Sequence, residues 1–143
     1  MDVEAILRNK GRDVARITSE ATVGDAAEAL RGQRIGALVV SDDGAFVDGI
    51  ISERDIVYAL ARYGEGLLTM PVAEIMTRPA VTCDPEDTVA ELMEAMTTRR
   101  IRHLPVVRDG ALCGIVSIGD LVKSRLDEIE TEARSLRSFI VSA

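Results

Sequence analysis

Tryptophan is absent from this 143-residue chain, and there are only two tyrosines and two phenylalanines. Aromatics at 3% leave no run of platforms on which the bases of a single strand could stack. Basic charge is also short: 8 basic against 12 acidic residues up to Pro71, and 9 against 12 after it, for a net charge of −7. Neither half suits a phosphate backbone, so a nucleic-acid partner is not expected. No apolar run approaches the roughly 18 residues of a spanning helix, and Met1-Asp2-Val3-Glu4 lacks the basic and apolar regions of a signal peptide. The expectation is a cytoplasmic protein without a membrane partner. Cys83 and Cys113 fit no metal or redox spacing and read as two small thiols in a reducing compartment. The only histidine, His103, has no second histidine or carboxylate placed to form a catalytic pair, and no Gly-x-Ser-x-Gly occurs. No enzyme activity, catalytic cofactor or metal site is expected.

What is abundant is aliphatic. Apolar residues reach 47%, enough for a core in a chain of one-domain length. Asp2 to Arg8 reads as a short helix ended by Gly11, and Val14 to Ile17 as a short strand. Thr22 with Asp25 resembles a capping box that opens a helix with Val23, Ala26, Ala27 and Leu30 on one face. Ala37 to Ser41 reads as a buried strand, Asp42-Asp43-Gly44 as a turn and Val47 to Ile51 as the returning strand. A helix from Glu53 is expected to carry Ile56, Val57 and Leu60 inward.

The β-α-β-β-α unit then repeats. Thr22 maps to Thr88, Ile35 to Ile101 and Asp43-Gly44 to Asp109-Gly110 at one constant offset. Past the hairpin, Ser52 maps to Ser117 and Asp55 to Asp120 at an offset one residue shorter, a loss placed where loops tolerate it. Thr88 with Glu91 reads as the better capping box of the pair, and Val89, Leu92, Met93 and Met96 repeat the helical stripe. Matching caps, turns and strand-to-helix corners indicate duplication. The expected fold is α+β: two repeats packed as a pseudo-two-fold pair, since each alone is marginal. The expected division is 1–71 for the lead-in helix and first repeat, 72–126 for the second, and 127–143 for a C-terminal helical extension. Val3 to Leu7 would lead into the first copy and Val72 to Thr77 into the second. In the last helix Val122, Leu126, Ile129, Ala133, Leu136 and Ile140 form a heptad-like seam. It either folds back on its own domain or meets a second subunit.

The two corners, Gly49-Ile50-Ile51-Ser52-Glu53-Arg54-Asp55 and Gly114-Ile115-Val116-Ser117-Ile118-Gly119-Asp120, carry the candidate chemistry. Each runs a strand into a helix start, where free N–H groups can hold a phosphate and a carboxylate can hold a sugar diol. Ser-x-x-Asp is equally a capping box. Asp is shorter than the usual Glu and is expected to reach back less well, which favours the ligand role. Arg99, Arg100, Arg102 and Arg108 form the densest basic cluster. Arg99 and Arg100 suit a solvated helix C-terminus, and Arg102 a phosphate contact.

These corners, with Ile35-Gly36-Ala37-Leu38-Val39-Val40, Ile101-Arg102-His103-Leu104-Pro105-Val106-Val107 and the lead-in Glu74 to Pro79, resemble a tandem pair of cystathionine-β-synthase (CBS) domains over residues 3 to 126. The resemblance implies a non-enzymatic sensor of adenosine ligands: AMP, ADP, ATP, S-adenosylmethionine or NAD(H). It also implies a homodimer that regulates a separate protein effector. By the same resemblance Asp55 and Asp120 would take the ribose, and Ser52 and Ser117 with the amides of Ile118 and Gly119 the phosphate. Leu38, Leu104, Pro105 and the chain around Thr18 and Thr82 would flank adenine, and Arg102-His103 would face phosphate. The first copy departs with Gly36-Ala37, and Arg54 aligns with Gly119, so each corner has one basic feature that the other lacks. AMP is the favoured ligand. NAD(H) stays open because Gly36-Ala37 leaves room, as does a dimerisation module with a vestigial site.

Overall fold

A computed structural model of the chain describes residues 1–142; Ala143, the end of the expected extension, lies outside the described residues. The elements run α1 (Val3–Lys10), β1 (Arg16–Ile17), α2 (Val23–Gln33), β2 (Ala37–Val40), β3 (Gly49–Ser52), α3 (Glu53–Tyr63), two short 3₁₀ turns, α4 (Val89–Arg99), β4 (His103–Arg108), β5 (Ala111–Ser117) and α5 (Ile118–Ser142). The fold is α+β. β1 lies parallel to β2, which pairs antiparallel with β3, while β4 and β5 form an antiparallel pair.

The strand expected before α4 shrinks to one bridge, Cys83 to Val106. The Cys83 N–H donates to the Pro105 carbonyl (3.0 Å) and the Val107 N–H to the Cys83 carbonyl (2.8 Å). The next parallel bonds on either side would need N–H groups on Pro105 and Pro85, which have none. In the first repeat the counterpart of Pro105 is Val39, whose N–H donates to the Ala15 carbonyl (3.1 Å), and there β1 forms.

The caps also differ from expectation. Thr22–Asp25 and Ser52–Asp55 form complete capping boxes, and Ser117–Asp120 makes the same reciprocal pair (2.8 and 3.2 Å). Thr88 only accepts from the Glu91 N–H, without the return bond. The shorter acid therefore does reach back, because the N-cap residue is extended and turns its own N–H toward the N3 side chain. In α3 the inward face is Ile56 and Ala59; Val57 and Leu60 are 61% and 53% exposed, not inward.

The lead-ins cross over. Val3, Ile6 and Leu7 of α1 join the core of the second repeat with Val89, Leu92, Met96, Leu104, Val106 and Val116. Val72 completes the core of the first, beside Ala26, Leu30, Leu38, Val40 and Ile51, with Ile75 and Met76 packed against it. The crossing is reciprocal in the backbone: the Val3 N–H donates to the Asp87 carbonyl (3.0 Å) and the Val72 N–H to the Ala21 carbonyl (2.7 Å). Thr77 also pairs with Ile50 through two bonds (3.0 and 2.8 Å). These exchanged contacts relate the two copies as a pseudo-two-fold pair.

Two equivalent glycines admit the crossing segments. A Cβ on Gly49 would stand 2.8 Å from the Thr77 carbonyl oxygen, and one on Gly114 2.6 Å from a Leu7 methyl. Gly49→Ala is expected to lower stability by about 1–3 kcal/mol. Gly32→Ala, in α2 of the same repeat, where an added Cβ would meet nothing within 4 Å, is expected to raise it by about 1 kcal/mol. Urea unfolding of the two variants checks both signs.

Candidate functional site

The first corner opens into a cleft of about 890 Å³ between the start of α3 and the end of α4. Ser52, Glu53, Arg54 and Asp55 line one side, with Val57 and Tyr58 of the next turn. Met96, Thr97, Arg99, Arg100, Ile101, Arg102 and His103 line the other, and Ile50, Gly36, Thr77, Val81 and Ile118 complete it. The charge along this wall opposes that of the whole chain. Four guanidinium groups face two carboxylates, a local excess of positive charge that suits an anionic ligand on a protein of net charge −7.

The Asp55 carboxylate sits inside this cleft. Its Oδ2 accepts from the Ser52 N–H (2.9 Å) and hydroxyl (3.0 Å), and its Oδ1 accepts from the Thr77 hydroxyl (2.9 Å). The Thr77 hydroxyl thus stands where a ribose hydroxyl could donate instead. Arg54 is held across the cleft: its Nη1 donates to the Arg100 carbonyl (2.8 Å), and its guanidinium carbon lies 5.5 Å from the centroid of the Tyr58 ring. Arg100 is in the left-handed region (φ 55°) and ends α4. The basic features expected at separate corners, Arg54 and Arg102, converge on this one cleft.

The second corner is arranged differently. Asp120 accepts from Lys10 Nζ at 2.7 Å, and the same ammonium donates to the Ile115 carbonyl at 3.0 Å. Burial pulls the Asp120 carboxyl upward, but Lys10 and the Ser117 N–H outweigh it and hold the group below the usual carboxylate range. Ser117, Gly119 and Asp120 are not among the residues that line the cleft; Ile118 is. A smaller groove of about 430 Å³, lined by Leu30, Arg31, Arg34, Ile35, Glu53 and Ile56 among others, uses the positions that match Met96, Thr97, Arg100, Ile101, Ile118 and Leu121 in the second repeat.

His103 fills the space above Gly36. A Cβ there would lie 3.0 Å from its Cε1 and 3.2 Å from its Nε2. The room that Gly36-Ala37 suggests is therefore occupied, by a side chain from the other repeat. Burial pushes the His103 imidazole below its ordinary value; Glu53 and Asp120 oppose this, while Lys10 and Arg102 add to it. The ring is neutral at pH 7 and brings a hydrogen-bond donor rather than a charge.

Of the expected ligand residues, Gly36, Ser52, Arg54, Asp55, Arg102, His103 and Ile118 meet in the cleft. Leu38 and Leu104 belong to the two cores instead, buried on the helix side of their sheets. Ala37 and Pro105 are buried in their strands, and Thr18 and Thr82 are exposed outside the cleft lining. Arg99 and Arg100, expected at a solvated helix end, line the cleft, as do Thr77, Val81 and Tyr58. The αL turn at Arg100 brings the end of α4 round to the cleft, and a sequence pattern for that turn is weak.

Because the folded-state value of His103 lies below that of the unfolded chain, about 6.5, its contribution is fully present above pH 6.5. It is lost as the pH falls toward the folded value. The lowered carboxylate of Asp120 acts only below about pH 3.8, outside this window. Stability should fall between pH 7 and pH 5, and His103→Gln should flatten that slope in urea unfolding.

Comparison with known proteins identifies the family and the fold. The family model for the CBS domain matches residues 4–62 and again 72–127. A mitochondrial CBS-domain-containing protein of Arabidopsis thaliana is 34% identical over 96% of this chain and 71% of its own length. The crystal structure of a CBS-domain-containing protein from Agrobacterium tumefaciens superposes with a TM-score of 0.83 at 44% identity, covering 87% of this chain and 92% of that one. A CBS domain protein from Pyrobaculum aerophilum, whose structure is a complex with AMP, gives 0.78 at 29% identity over 92% and 99% of the two chains. Two copies in series, each closing the core of the other around a charged cleft, make this chain a member of the CBS-domain family, a tandem-pair regulatory module and not an enzyme.

Proposed function

We propose that the chain is a sensor that binds AMP in the cleft between the start of α3 and the end of α4. The observation that carries this reading is the gathering of Arg54, Arg99, Arg100 and Arg102 beside the Asp55 carboxylate on an otherwise acidic protein. The phosphate would sit among the guanidiniums and the Arg54 backbone N–H, since the Ser52, Glu53 and Asp55 N–H groups already donate within the protein. The ribose diol would take over the Asp55 oxygen that Thr77 now occupies, and Val81, Met96, Ile101 and Ile118 offer an apolar wall to the base. The AMP-bound relative from Pyrobaculum aerophilum supports the choice of ligand. ATP fits the same chemistry. NAD(H) is less well supported, because His103 holds the space over Gly36.

Binding joins residues of both repeats, so it favours one arrangement of the pair. A protein effector that prefers that arrangement reads ligand concentration by linkage. The chain would act as a homodimer. Two free thiols, Cys83 and Cys113, suit a reducing compartment such as the cytoplasm. No described helix is long and apolar enough to cross a membrane.

Isothermal titration of nucleotide-free protein with AMP is expected to give saturable binding near micromolar Kd, on the order of −8 kcal/mol. Arg102→Ala and Arg99→Ala, neither of which is a cap residue, should each weaken it about tenfold or more. A flat trace from folded protein for AMP, ATP and NADH alike would overturn the sensor reading.

The number of sites is a separate matter. Lys10 already holds Asp120, so one nucleotide per chain is expected, rising toward two in Lys10→Met. Two equal sites in the unmodified protein would show that Lys10 does not close the second corner.

A further inference from the structure

The last helix does not fold back. α5 runs for 25 residues, about 37 Å, and only Leu121 and Ser124 near its start are buried. These two face the protein's own body. The seam from Val122 to Ile140 lies on a different side, with Leu126, Leu136 and Ile140 at 57%, 61% and 65% exposure. A solvated helix of this length does not keep a stripe of exposed Leu and Ile without a partner.

The charges flanking the seam say which partner. With Leu126, Ala133 and Ile140 at heptad position a and Val122, Ile129 and Leu136 at d, the g positions hold Arg125 and Glu132, and the e positions hold Glu130 and Arg137. In a parallel, in-register pair each g residue meets the e residue five places on in the other helix. Arg125 then meets Glu130 and Glu132 meets Arg137, each twice by symmetry. An antiparallel pair centred on the same seam sets Glu130 against Glu130 and Glu132 against Glu132. Among the described residues Glu130, Glu132 and Arg137 carry no ion pair within the chain, and Arg125 has only its local partner Glu128 (2.8 Å). All four are exposed.

We infer that α5 is a dimerisation device that pairs with α5 of a second copy as a parallel, in-register coiled coil. This names the surface, direction and register of the homodimer proposed above and is independent of the nucleotide reading. A parallel pair puts both domain bodies at the same end of the coil, and the apolar seam begins at the body itself, at Val122.

The test is sedimentation equilibrium on the full chain, with Glu132→Arg, Arg137→Glu and the double variant, each checked for helix content. The unmodified chain is expected to be a dimer. Each single variant turns two attractive contacts into repulsive ones and should raise the dimer Kd about tenfold. The double variant restores opposite charges and should return to within about threefold of the original value. Leu136→Cys on a Cys113→Ser background should cross-link to itself under mild oxidation, as only a parallel register allows. A dimer indifferent to the single variants would overturn the coil while leaving a homodimer built on another surface. Singles that weaken without rescue by the double would overturn the parallel register. A monomer at about 100 μM would overturn both the coil and the homodimer. AMP titration of the same variants, expected unchanged, separates these outcomes from failure of the sensor reading.

Discussion

Neither repeat owns all of its core. The apolar face of α1 is buried in the second repeat and Val72 in the first, so each unit of roughly sixty residues, marginal by itself, is completed by chain from beyond its own boundary. The rest of the molecule depends on this exchange. It orders Thr77 beside Ile50, which brings the Thr77 hydroxyl to Asp55. It also lays α1 along β5, which brings Lys10 to Asp120. The two corners are copies in sequence, and the crossing segments make them different in chemistry: a hydroxyl answers one carboxylate and an ammonium the other.

The cleft follows from the same arrangement. Because the copies face one another, groups from both reach a single space: the α3 start from one and the α4 end, Arg102 and His103 from the other. His103 stands directly over Gly36. A neutral imidazole here lets Arg102 and its neighbours carry the charge, while the ring takes up volume and shapes the wall. A ligand held in this cleft would therefore be coupled to repeat packing, which is what a regulatory module requires, since a ligand shifts an equilibrium only by what it gains differently in two arrangements.

Much of this was legible in the sequence because it is local. Thr22, Ser52 and Ser117 mark helix starts, Asp109-Gly110 marks a hairpin, and the constant offset between copies shows the duplication. What was not legible depends on partners distant in the chain. That Pro105 and Pro85 together cut the opening strand of the second repeat to one bridge is visible only once Cys83 is known to lie beside Val106. The burial of Leu38 and Leu104 could not be told from alternation alone, since both faces of these strands are covered. Arg99 and Arg100 are the exposed helix end that their position suggests, but that this end also borders the cleft depends on the left-handed turn at Arg100. The room over Gly36 was a sound inference from one strand, but its occupant comes from the other repeat.

The Lys10 contact has a consequence for how such a molecule can evolve a threshold. A tethered ammonium behaves as a competitor present at the millimolar effective concentration typical of short connections, whatever the cell supplies. A small molecule seeking Asp120 would have to displace it, and would release the end of α1 in doing so. The first helix would then act as a built-in antagonist whose strength is set by the geometry of one lysine rather than by the affinity of the corner itself.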